Sequence, residues 1–190
     1  GYPLLSNQIG GVQTNDAAVL EFDFVPYSDS VKFNYVFGSE EYEEYVGSQF
    51  NDVFAFFIIG PGYPSPTNIA LLPNNQPVAI NNIHNAVSNS FGTFGPANAQ
   101  YYVNNNNGAT IQYDGFTDVL TAKAEVQCGQ TYHLIICIAD AVDNIYDSGI
   151  FLEANSLSSD TPIEANYTLS QELFGAPNIM GEGCVSATVT

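Results

Sequence analysis

Val31-Lys32-Phe33-Asn34-Tyr35-Val36-Phe37 places apolar or aromatic side chains at every second position, with Lys32 and Asn34 between them. Alternation with period two is the pattern of a strand that buries one face and wets the other. Leu20, Phe22 and Phe24 repeat it around Glu21 and Asp23. Two further runs are continuously apolar and rich in β-formers: Val53-Phe54-Ala55-Phe56-Phe57-Ile58-Ile59, closed by Gly60-Pro61-Gly62, and His133 to Ala139, closed by Asp140. Such runs fit central strands covered on both faces. Helical periodicity is nearly absent. Shorter strands are predicted at Ile69–Leu72, Gln76–Ile80, Gln100–Val103, Thr110–Tyr113, Asp118–Val126, Gly149–Glu153 and around Asn166–Ser170. About ten short strands separated by turn signals define an all-β sandwich of jelly-roll type.

The 190 residues are 45% hydrophobic and 13% aromatic, enough for one substantial core and too apolar for an acidic disordered tail. Residues 1–160 read as the β-sandwich domain. Residues 161–190, opening at Thr161-Pro162, read as a last strand and a linker toward a downstream module. Asn104-Asn105-Asn106-Asn107-Gly108 reads as a hairpin turn, because asparagine and glycine tolerate left-handed backbone. The Asn-rich stretch 81–99 is the longest without clear periodicity.

Charge narrows the range of partners. Lys and Arg together number 2 against 20 Asp and Glu, a formal charge of -18. Nucleic acid and anionic membranes both require basic side chains to neutralise phosphate, so neither is an expected partner. No apolar stretch approaches the roughly 20 residues that span a bilayer. Cys128 and Cys137 flank a short segment and could bridge a strand pair, but Cys137 sits inside an apolar strand, which favours a buried free thiol; no cysteine follows a zinc spacing.

The acids are concentrated. Ser39-Glu40-Glu41-Tyr42-Glu43-Glu44-Tyr45 follows one predicted strand, Asn51-Asp52 precedes a second, and Asp140, Asp143 and Asp147 follow a third. Like charges about 4 Å apart repel by about 1 kcal/mol in water and by several times more near a protein surface. Acids interleaved with apolar residues, as in Asp140-Ala141-Val142-Asp143-Asn144-Ile145-Tyr146-Asp147, do not all face water. Partly buried carboxylates need a partner, and hard oxygen donors favour Ca²⁺. The expected ligands are Glu40, Glu41, Asn51, Asp52, Asp140, Asp143 and Asp147, on separated loops sharing one rim, since no EF-hand spacing is present. A solvated charged face is the plainer alternative. Exposed rings such as Tyr42, Tyr45, Tyr63, Tyr101 or Tyr102 could stack on sugars. Glu40 or Glu41 paired with Asp140 could also serve glycoside hydrolysis, but no nucleophile elbow, triad order or cofactor fingerprint accompanies them.

Phe37-Gly38-Ser39-Glu40-Glu41-Tyr42, Phe50-Asn51-Asp52-Val53-Phe54-Ala55-Phe56-Phe57-Ile58, Asn68-Ile69-Ala70, Ile111-Gln112-Tyr113-Asp114-Gly115-Phe116, Ile138-Ala139-Asp140 and Asp147-Ser148-Gly149-Ile150-Phe151-Leu152-Glu153 together resemble the choice-of-anchor L domain, in order, over most of residues 15–157. The resemblance implies an exported module of bacterial surface and secreted proteins, many from Bacteroidota with type IX secretion sorting tails and adhesin-like repeats. No catalytic activity is transferred by it. Family members often carry a cysteine where this chain has Val46-Gly47, which could pair with the position of Cys128; this chain lacks it. The functional expectation is a non-catalytic, calcium-stabilised, secreted or cell-surface module acting in adhesion or glycan binding. A stalk or filament subunit is the alternative. Neighbouring modules or like subunits, and glycans, are the expected partners.

Overall fold

The computed structural model describes residues 1–106 and 108–159. The expected strand at Asn166–Ser170, Cys184 and the boundary segment 161–190 lie outside the described residues. The remainder is two facing antiparallel sheets of five strands each, with a small two-stranded sheet beside them. The first sheet holds β1 (Thr14–Phe24), β11 (Tyr132–Ala141) and β3 (Val53–Gly60), with β4 (Tyr63–Asn68) and β5 (Val78–Ala79) both on the far side of β3. In the second, β2 (Ser30–Ser39) is flanked by β12 (Ser148–Leu152) on one side. On its other side lie β10 (Leu120–Glu125) and β9 (Gly115–Thr117), which passes the ladder to β8 (Tyr102–Asn104). β6 (Val87–Asn89) and β7 (Gly92–Phe94) form the small hairpin.

The alternation read in β2 has its expected consequence. Phe33, Tyr35 and Phe37 are buried and face Phe54, Phe56 and Ile58 of β3 across the sandwich. Ring centroids lie 5.1 Å apart for Tyr35 and Phe54, 5.3 Å for Tyr35 and Phe56 and 5.4 Å for Phe33 and Phe56, all tilted or edge-on as aromatic quadrupoles prefer. The opposite face of β3 is covered as well. Val53, Ala55 and Phe57 join Ile135, Cys137 and Ala139 of β11 under Leu5 of α1 (Pro3–Gln8). Cys137 is a buried free thiol, and Cys128 is disulfide-bonded.

Helix α1 gave no periodic signal because it is barely two turns long. Pro3 opens it, where a missing N–H costs nothing, and Gly10 (φ 75) and Gly11 (φ 86) end it, with the Gly11 amide bonded to the Ser6 carbonyl. Other expectations need correction. Ile69–Leu72 is no strand; Leu71 makes one isolated bridge to Pro77, and the chain pairs earlier, as β4, where Pro64 and Pro66 are tolerated on an edge. Thr110–Tyr113 is no strand, and 104–108 is no tight hairpin. Asn105 captures that segment: its amide group donates to the carbonyls of Ile111 and Tyr113 and accepts from Thr110, so a longer loop joins β8 to β9. The unpatterned stretch 81–99 holds the β6–β7 hairpin.

Phe56 lies at the centre of the ring cluster, so Phe56→Ala is expected to lower unfolding stability by about 3–5 kcal/mol in urea titration.

Candidate metal centre at the acidic rim

β2 and β11 are not neighbours in one sheet; they face each other across the sandwich. Both nevertheless end at the same rim. Asp52, at the start of β3, ties the two sheets there: its Oδ1 accepts from the Ala141 amide at the end of β11 (3.0 Å), and its Oδ2 accepts from Ser148 Oγ at the start of β12 (2.6 Å). Ser148 in turn pairs with Ser39, the last residue of β2. The Glu40 amide donates to the Asp147 carbonyl (3.1 Å), so the two acid-bearing loops touch directly. Glu41 turns inward, its own amide donating to Ser39 Oγ (3.0 Å).

The loop from 40 to 50 is held from outside by asparagines of the 81–99 stretch. Asn81 donates to the Ser48 carbonyl and accepts from the Gly47 amide, and Asn89 donates to the carbonyls of Glu43 and Val46. Gly47 has φ 83 and lies under the Phe94 ring, which leaves no room for a side chain. The Asn51 amide oxygen is already engaged by the Asn81 amide (2.8 Å), so Asn51 shapes the loop.

Asp52 is fully buried, Glu41 is 1% exposed and Asp140 6%. Glu41 Oε2 is buried without any hydrogen-bond partner. Burial first, then the charges of Asp52, Asp143, Asp140 and Glu44, push the Glu41 carboxyl up to about 8. Burial and then Asp52, Asp147, Asp16 and Asp143 push Asp140 up to about 7. Asp52 is raised to about 6 by burial, against the lowering effect of its bonds from Ser148 and Ala141. Glu41, Asp52, Asp140, Asp143 and Asp147 are thus mutual electrostatic neighbours. Val142 (φ 76), a β-branched residue in left-handed backbone, makes the turn that brings Asp143 back to them. An open hollow of about 420 Å³ beside the rim is lined by Asn15, Asp16, Val142, Asp143 and Asn144.

No basic side chain opposes this charge. Lys32 and Lys123, the chain's only two, face each other across β2 and β10. Lys32 lies seven residues from Ser39 along the strand, about 23 Å at about 3.3 Å per residue. His133, at the far end of β11, bonds Asp23 (2.7 Å) and Glu21 (3.1 Å). Among the described residues no three Asp, Glu, His or Cys groups are drawn close enough to make a finished metal cage. The rim is a gathered set of oxygens rather than a closed coordination shell. Glu41 is also sealed from any polysaccharide, so it is not placed as a glycosidase acid.

The tyrosines separate by environment. Tyr42 and Tyr102 are core residues with ring centroids 4.9 Å apart, leaving no face to stack on a sugar. Tyr101 is half-buried against the main core. Tyr63 is partly buried against the core, its hydroxyl donating to the Glu125 carbonyl (2.9 Å); Tyr45 alone of the five stands at the rim, in a shelf with Phe50, Phe91 and Tyr146 at centroid distances of 5.5, 5.9 and 5.3 Å. Phe91 and Tyr146 are 44% and 40% exposed. The residues missed in the sequence, Asp16, Ser148, Phe91 and Tyr146, have no local signal; only the fold brings them to the acids.

The described residues form a β-sandwich whose loops gather acids and aromatic rings at one end, and the family match assigns such a domain to the surface-associated, non-catalytic modules. The choice-of-anchor L domain profile matches residues 1–158, and the chain belongs to that family. Its members are surface or secreted proteins, and among the described residues no helix is long and apolar enough to cross a membrane. No curated protein and no solved structure matches the chain.

Raised carboxyl values fix a pH dependence for the metal-free protein. Between the unfolded values near 4 and the folded values of about 6 to 8, the native form binds more protons than the unfolded chain. In chelator the contribution of these three groups to stability is therefore complete below about pH 4 and is lost as pH rises to 8. Glu41→Gln should flatten the upper part of that decline, measured as urea midpoint against pH.

Proposed function

We propose that the chain is a secreted module of the bacterial cell surface in which Ca²⁺ bound at the acidic rim orders the loops that present an adhesive, glycan-binding face. The observation that carries this reading is Glu41 Oε2, buried, unpartnered and surrounded by Asp52, Asp140 and Asp143. A carboxylate oxygen sealed from water with no donor costs the fold several kcal/mol unless a proton or a cation meets it. Glu41, Asp140 and Asp143 form the inner set of ligands, with Glu40 and Asp147 at the mouth. Asp52 contributes charge from behind, its oxygens being held by Ala141 and Ser148. The ion draws these oxygens inward into the six- to eight-fold shell that Ca²⁺ accepts.

Tyr45 and Tyr146 stand on the acid-bearing loops and Phe91 on the β6–β7 turn that Asn89 ties to one of them, so ordering the acids also orders the shelf. Exposed rings beside polar loops offer the apolar platform that a sugar face stacks on. Neighbouring modules of a larger surface protein, or like subunits, are the remaining partners.

Extracellular calcium modules bind at about 10⁻⁴ to 10⁻³ M. A hundredfold excess over Kd contributes about 2.7 kcal/mol, which for a domain of this size raises Tm by about 5–10 °C. Differential scanning calorimetry at pH 7.5 should show that rise, its reversal by chelator, and its loss in Glu41→Gln; a Tm indifferent to Ca²⁺ rejects the metal site. Tyr146→Ala should keep the calcium response and abolish binding on a glycan array. A wild-type protein that melts higher with Ca²⁺ yet binds no glycan would instead favour a calcium-stiffened stalk.

A further inference from the structure

On the outer face of the first sheet, past the residues that Leu5 covers, His133 stands between two acids of the neighbouring strand. Asp23 is its direct partner in the β1–β11 ladder, and Glu21 lies two residues back, opposite Ile135. Side chains two apart on a strand share a face, and paired or diagonal residues reach one another across it. Both ring nitrogens are consequently taken: Nδ1 lies 2.7 Å from Asp23 Oδ1 and Nε2 3.1 Å from Glu21 Oε2.

That arrangement selects one protonation state. An ionised carboxylate can only accept, and a neutral imidazole has one N–H and one bare lone pair. A neutral ring therefore turns a lone pair toward one of the two acids, whereas an imidazolium donates to both. The protonated ring also sits between two like charges that β1 carries on one face. On its other side β11 meets β3, where the residue opposite His133 is the uncharged Ile59. Tyr2, just before α1, senses the charge of Glu21. The bonds to Asp23 and then Glu21 hold the imidazole above its ordinary value, against the lowering effect of burial.

The inner face of this end is fastened without charge, by Phe24 stacked on Tyr132 with ring centroids 5.8 Å apart. The acidic rim is remote. Asp23 lies nine residues from Thr14, which pairs with Ala141 there, about 30 Å at about 3.3 Å per residue. Charges that far apart are screened from each other at physiological salt, so the two ends of β1 respond to pH separately.

We propose that His133, as an imidazolium, is a pH-released clasp: in acid it fastens the end of β1 to β11, and as the medium turns alkaline it lets residues 22–24 fray. Because the folded value lies above the unfolded one, the clasp is complete below about pH 6.5 and is lost as pH rises through the folded value. The side chains of His133, Glu21 and Asp23 are 37%, 55% and 69% exposed, so solvent screening keeps the effect local.

NMR on the full chain tests both halves of the proposal. In acid the His133 ring should carry two N–H groups, with a titration midpoint above about 6.5 that falls in Asp23→Asn and in Glu21→Gln. Amide protection at residues 22–24 and 132–134, taken relative to β3, should drop about two- to fivefold as pH rises through that midpoint, with Ca²⁺ added and in chelator alike. His133→Gln keeps an amide donor but no titrating charge, and should abolish the drop. A midpoint at or below about 6.5, or relative protection that stays flat across it, would overturn the proposal, and the wild-type titration decides this even if a variant fails to fold. A drop that persists in His133→Gln would overturn it as well, by assigning the response to another group.

Discussion

The carboxylate of Asp52 is the constraint from which the functional end of the molecule follows. It is fully buried between the sheets, and its two hydrogen bonds reach the end of β11 and the start of β12. Those bonds keep Asp52 acidic enough to ionise near pH 6, and the resulting charge falls on Glu41 and Asp140. One side chain thus joins the sheets and makes the rim electrostatically unfinished. A hydrophobic residue of similar size could fill its space, but it would leave the Ala141 amide without an acceptor.

How much of this was readable in the residues depended on the range of the deciding interaction. β1, β2, β3, β10, β11 and β12 are long enough for their own apolar spacing to declare them, since burial on a sheet acts every second residue. Elements decided by one distant contact were silent. α1 exists because Leu5 covers Val53 and Phe57, and β4 because an edge forgives Pro64 and Pro66. The segment around Thr110 looked like a strand until Asn105 offered its carbonyls a closer partner.

The rim divides in the same manner. Its acids were legible because charge without countercharge is a property of composition, and the two lysines could be counted before they were located. Their grouping was not, since β2 and β11 meet at the rim through facing sheets and not through a shared ladder. Asp16 contributes to Asp140 only because β1 pairs with β11 at Thr14 and Ala141. Tyr42 shows the opposite failure. A tyrosine between acids looks like a surface ring, yet Gly115 and Tyr102 shape a pocket that takes it whole.

A proton and a cation are the two available remedies for the charge at Glu41, and pH separates them. Near pH 5 protons suffice: Glu41, Asp140 and Asp52, at about 8, 7 and 6, are all largely neutral, and the rim needs nothing from outside. At pH 7.5 Asp52 is ionised and Asp140 largely so, while Glu41 is caught between its own burial and their charge. Under the proposed reading a divalent ion would then compete with one proton for several carboxylates, with hard oxygens supplying both charge and coordination number. Metal uptake at such a site must release the proton of Glu41. Under the proposed reading, a proton and a cation are thus alternative partners for the same carboxylates. The rings of Tyr45, Phe91 and Tyr146 pack together beside these acids, so the proposed binding face lies next to the groups whose charge the medium sets.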